Sequence, residues 1–137
     1  DAAPDILNHN VETVPRLYPR VRPQAKFERS LEALHRSKEA GLVTKSGFML
    51  GLGEEAPEVA ELMTKLTEIS VKILTIGQYL QPTPAHLPVH TYVTPAEFAR
   101  IAENGRLMGF DHVESGPFVR SSYHAWEHAR HVLTPRE

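Results

Sequence analysis

Four polar clusters in this sequence have residue types and spacings that could do chemistry. In Asn8 to Glu12 (NHNVE), the amide of Asn10 and the carboxylate of Glu12 can hydrogen-bond a sugar diol, while the same pair beside a helix start would serve as caps. Gly47, Met49, Gly51 and Glu54 follow a pattern of glycine, apolar residue, glycine and acid. Glycines there let a ligand approach the backbone, and a plain strand followed by a glycine turn would read the same way. Lys45, just upstream, could become a Schiff-base nucleophile if its strand desolvates it. Gln78 and Tyr79 open the third cluster, where the tyrosine either flanks an aromatic base or packs as core or rim. In the fourth, Arg120 beside Ser121 and Ser122 either holds an anion or decorates a loop. His124 and His128 share a helical spacing, with His131 a turn further on. That is a candidate zinc site, but no acid completes a known signature, and a solvated helix face is the ordinary alternative.

These clusters need elements to hold them. Phe27, Leu31 and Leu34 fall at i, i+4 and i+7, and Gly41 follows, which predicts a helix over 26–40. Val43 to Leu50 suits a buried strand ending at the Gly51 to Gly53 turn. Pro57 fits a first helical turn, with Val59, Leu62, Met63, Leu66 and Ile69 on one face. A second strand is expected from Val71 to Gly77. Pro82, Pro84 and Pro88 make 78–93 a long loop, because proline neither continues a helix nor donates into a ladder. Thr94 and Glu97 form a capping-box signature for a further helix ending near Gly109. His112 to Ser115 is expected as a short strand, 116–122 as a loop, and Tyr123 to Val132 as a terminal helix. Helices alternating with strands imply βα units and a parallel sheet, whose ligand sites lie beyond the carboxyl ends of the strands. The polar clusters fall there.

The 137 residues are 41% hydrophobic and carry a formal charge of -2, the composition of one globular domain spanning 1–137. The charge excludes the basic footprint of a nucleic-acid binder. No apolar run nears the roughly 20 residues that cross a bilayer, and no signal core opens the chain, so a soluble intracellular protein is expected. There is no cysteine, hence no disulfide and no thiolate metal site within these residues. A complete βα barrel takes about 250 residues. The chain is therefore expected to supply three or four units of an α/β partial parallel barrel, truncated on the N-terminal side.

In order and spacing, HNVETVPRLY, RVRP, TKSGFMLGLGE, LTIGQYLQP, YVTPAEF and GPFVRSSYHA resemble the lipoyl synthase family of radical S-adenosylmethionine enzymes. The resemblance runs from about Asn8 to Ala125. It implies insertion of two sulfur atoms into an octanoyl chain carried on a lipoyl domain or a glycine-cleavage H protein. It also implies S-adenosylmethionine and two four-iron clusters, one generating a radical and the other donating sulfur. By the same resemblance Asn10 and Glu12 lie in the nucleoside region, Gly47 to Glu54 beside the adenine, and Gln78 with Tyr79 closes that side. Lys45 is expected to converge on the same cleft. Ser121 matches the serine that ligates the auxiliary cluster, a harder ligand than thiolate and so an exchangeable one. The family's two cysteine triads lie N-terminal to the matching region and are absent here, which implies a fragment inactive by itself. The implied compartment is the bacterial cytoplasm, or the mitochondrial matrix in a eukaryote. A Schiff-base lyase using Lys45 and a non-catalytic module that docks the carrier protein are the alternatives.

Overall fold

The computed structural model describes residues 5–119. Four strands, β1 (Ile6–Asn8), β2 (Val43–Leu50), β3 (Ile73–Gln78) and β4 (His112–Ser115), pair in sequential order and are parallel throughout. Parallel neighbours need crossovers, and helices supply them. A 3-10 turn (Pro15–Leu17), α1 (Tyr18–Val21) and α2 (Phe27–Glu39) link β1 to β2; α3 (Ala56–Glu68) and α4 (Pro95–Met108) make the next two links. The expected α/β architecture with a parallel sheet is present.

Local chemistry sets the helix ends. Beyond α2, Gly41 adopts φ +93°, where its amide donates to Lys38 O and that of Leu42 to Ser37 O, closing the carbonyl end of the helix. At the start of α3, Glu55 and Glu58 cap each other's backbone amides reciprocally. The expected box on α4 is half formed. Thr94 Oγ1 accepts from the Glu97 amide, but the Glu97 carboxylate turns outward to Arg100 instead of back to the cap. A guanidinium one turn away offers a charged partner that the Thr94 amide cannot match.

Leu34 from α2, Leu62 and Leu66 from α3, and Phe98 and Ile101 from α4 join Phe48, Leu50, Leu74, Ile76 and Val113 in one apolar cluster. Fully burying each such side chain contributes about 1.5–3 kcal/mol. The strand members alternate by two, as the pleat requires. The intervening positions form the opposite face: Asn8, Lys45, Ile73 and His112 stand in one register row, and Gly47, Thr75 and Glu114 in the row two residues on. Ile73 is fully buried yet stands outside the helix-side cluster. A parallel sheet normally carries apolar residues on both faces, so this polar face marks where something other than a helix is met.

Three details differ from expectation. β1 and the helical stretch of 15–21 were not anticipated, and β3 begins at Ile73, with Val71 buried just before it. The terminal helix from Tyr123 lies outside the described residues. Among those described, no helix is long and apolar enough to cross a membrane.

Candidate functional site

At the carboxyl ends of β2 and β3, Asn10, Glu12, Gly47, Thr75, Gln78 and Leu80 line a cleft of about 250 Å³. A larger groove of about 760 Å³ runs between α3 and α4, lined by Val59, Met63, Ile101 and Leu107 among others. The chemistry lies in the smaller space: Glu97 and Arg100 in the groove pair with each other, whereas the cleft contains a polar atom with no partner.

That atom is Asn10 Oδ1, buried and without a hydrogen bond. An acceptor left dry in this way costs about 1–3 kcal/mol unless a ligand or water satisfies it. Two residues on, Glu12 has φ +74°, and the Thr13 amide donates across it to Val11 O at 2.9 Å. This is a γ-turn of the rare, strained hand. The turn is locked to the sheet, since Glu12 N donates to Gly47 O and Met49 N donates to Glu12 O, so that Glu12 bridges Phe48 as a one-residue extension of β1. The Glu12 carboxylate makes no hydrogen bond among the described residues, and it borders the cleft.

Gly47 is small because of the neighbouring strand. A Cβ there would meet Thr75 Oγ1 at 2.2 Å, Thr75 O at 2.9 Å and Asn10 Oδ1 at 3.2 Å. Thr75 was not singled out by sequence. The available signal was its alternation: it sits on the same face as Gly47, inside a run that otherwise reads as buried strand.

Gly51, Glu54, Gln78 and Tyr79 form a frame at the same strand ends. Gln78 Nε2 donates to Tyr79 O and Thr91 O, both at 2.9 Å, and its Oε1 accepts from Val93 N at 2.9 Å. Its amide is thus spent on holding the loop of 79–93, with the rest of the side chain bordering the cleft. Gly51, at φ +100°, leaves room for this, because a Cβ would lie 2.3 Å from Gln78 Nε2 and 2.5 Å from Thr91 O. Glu54 caps the turn by accepting from the amides of Gly51 and Leu52. Tyr79 is buried and donates to Leu87 O at 2.6 Å.

Lys45 is buried one row below Gly47 and does not line the cleft. Desolvation pushes its ammonium down from the ordinary lysine value, opposed by the charge of Glu114. Ser121, Arg120 and the histidines at 124, 128 and 131 lie outside the described residues. Among the described residues no group of three or more potential ligands could hold a metal ion.

No family model matches the chain. Similarity to individual proteins is extensive. The lipoyl synthase of Rubrobacter xylanophilus is 64% identical over 129 residues, which are 93% of this chain and 40% of that protein. The lipoyl synthases of Chloroflexus aggregans and Chlorobium limicola are each 58% identical, over 93% and 95% of this chain and 42% and 46% of their own lengths. The chain thus spans less than half the length of these curated relatives. Over nearly its whole length the chain is similar to one portion of these lipoyl synthases.

Proposed function

We propose that the chain serves within a lipoyl synthase, which inserts two sulfur atoms into an octanoyl group held on a lysine of a carrier protein. The observation that carries this reading is the identity of 54–64% to eight lipoyl synthases over nearly the whole chain. In this reading the four-stranded sheet is part of a radical S-adenosylmethionine barrel. The remaining strands come from the portion that the relatives have and this chain does not match. The partner is an octanoylated lipoyl domain or glycine-cleavage H protein.

The cleft fits part of S-adenosylmethionine. Asn10 Oδ1 is a buried acceptor awaiting a donor, the Glu12 carboxylate stands beside it, and sugar hydroxyls supply donors for both. When bound, S-adenosylmethionine supplies hydrogen abstraction from unactivated carbon. This chain's residues would bind and orient its nucleoside end: Asn10 and Glu12 from the β1 extension, on a floor made by Gly47, with the Gln78 frame closing one wall. The iron-sulfur clusters do not fit these residues, because the sequence has no cysteine. Their ligands must come from elsewhere in the complete enzyme, with Ser121 the single ligand proposed from this chain.

A chimera tests the reading. The cysteine-bearing remainder of the Rubrobacter xylanophilus enzyme is joined to this chain, the clusters are reconstituted anaerobically, and an octanoylated lipoyl domain is followed by mass spectrometry. The expected result is a gain of two sulfur atoms. A folded chimera that cleaves S-adenosylmethionine but leaves the octanoyl group unchanged would overturn the assignment.

A further inference from the structure

The cleft floor holds a second polar group with no partner. Thr75 is 3% exposed and lines the cleft, and among the described residues its hydroxyl makes no hydrogen bond. Its Oγ1 and Asn10 Oδ1 both face the space above Gly47, at 2.2 and 3.2 Å from the point a Cβ would occupy there. The two oxygens do not bond each other, yet they are near enough for one atom to bridge them. Folding alone would favour a valine at position 75, which has the same shape, the higher strand propensity and no hydroxyl to desolvate.

The bridging group must satisfy opposite demands. Asn10 Oδ1 can only accept, whereas the Thr75 hydroxyl has a proton to give. An ammonium would serve the first and leave the Thr75 proton unplaced; a carboxylate would do the reverse. A hydroxyl does both, donating its proton to Asn10 Oδ1 and accepting from Thr75 at its oxygen.

We propose that Thr75 contacts the ligand directly and, together with Asn10, receives one hydroxyl of the sugar. This rests on the reading of the cleft as a nucleoside site and adds a residue to it. Gly47 then has a definite role: by lacking a Cβ it lets the Thr75 hydroxyl stand where the two oxygens can share one ligand atom.

The test uses the 137-residue chain with S-adenosylmethionine and its 2′-deoxy and 3′-deoxy analogues, measured by calorimetry, and the variants Thr75→Val and Thr75→Ser. Thr75→Val should melt no lower than the parent, since the fold uses no bond from that hydroxyl, and should bind S-adenosylmethionine about 3 to 10 times more weakly, the factor for one hydrogen bond. Thr75→Ser should restore binding. One deoxy analogue should bind the parent more weakly by a similar factor and be indifferent to Thr75→Val, because the contact is already missing. A melting point for Thr75→Val several degrees below the parent would show that the hydroxyl serves the fold, and unchanged binding would show that it does not meet the ligand. Either overturns the proposal while leaving the cleft reading in place. A folded parent that binds no S-adenosylmethionine overturns the cleft reading, and the role of Thr75 with it.

Discussion

Replacing Glu12 by glycine should stabilise this protein while weakening its ligand site. The γ-turn holds Glu12 at φ +74°, and a non-glycine residue in such a region costs about 1–3 kcal/mol. Glycine reaches it freely but loses more chain entropy on folding, about 0.5–1 kcal/mol. No hydrogen bond of the Glu12 side chain is lost, because none is made among the described residues. The net expectation is a gain of about 0–2.5 kcal/mol, and at roughly 4 °C per kcal/mol for a chain of this size the melting temperature should rise by up to about 10 °C. Glu12→Ala is the control: it removes the carboxylate and keeps the backbone cost, so it should stay within about 0.5 kcal/mol of the parent. Thermal unfolding followed by circular dichroism measures both, with S-adenosylmethionine affinity measured alongside. Both variants should bind more weakly. If Glu12→Gly melts at or below Glu12→Ala, the turn stores no strain and the reasoning fails.

Gly47→Ala should destabilise the fold by about 1–3 kcal/mol, since its Cβ would overlap Thr75 Oγ1 and press on Thr75 O; denaturant titration gives the value. Gln78→Ala removes three hydrogen bonds that hold 79–93, so hydrogen exchange at Thr91 and Val93 should accelerate while the centre of β2 stays protected. The isolated chain, incubated with iron and sulfide, should develop no four-iron absorbance and release no 5′-deoxyadenosine from S-adenosylmethionine; measured turnover would refute the dependence on cysteines absent from it. In a complete enzyme, Ser121→Ala should leave 5′-deoxyadenosine release largely intact and suppress sulfur insertion, and undiminished insertion would remove Ser121 as a cluster ligand.

What was legible in the sequence follows the range of the interactions. β2 announces itself as a nearly continuous buried run closed by a glycine turn, and α2, α3 and α4 because their burial repeats at about 3.6 residues and because Gly41, Pro57, Thr94 and Gly109 mark their ends. β1 has three residues, too few for a period, and the prolines at 15 and 19 disguise the helical stretch whose first turns they occupy. The roles of Gln78 and Thr75 are set by partners far along the chain. Gln78 spends its amide on Thr91 and Val93, 13 and 15 residues later. The hydroxyl of Thr75 meets Gly47 across a ladder that only the fold creates. Asn10, Glu12 and Gly47 could be named as candidates from their types, but the strained turn and the unpaired acceptor arise only in the folded chain.

The lengths of the strands have a consequence for solution behaviour. The two central strands run for eight and six residues, but those at the borders of the sheet, as described, have three and four. A border strand exposes free amides and carbonyls that can template the addition of another chain, and the hazard grows with the length of flat backbone on offer. Here each border strand, as described, is short and ends where the chain turns, at the Glu12 kink on one side and at Gly116 on the other. At high concentration the sheet should therefore resist fibrillar self-addition, even though its middle strands are rich in Val, Ile and Leu.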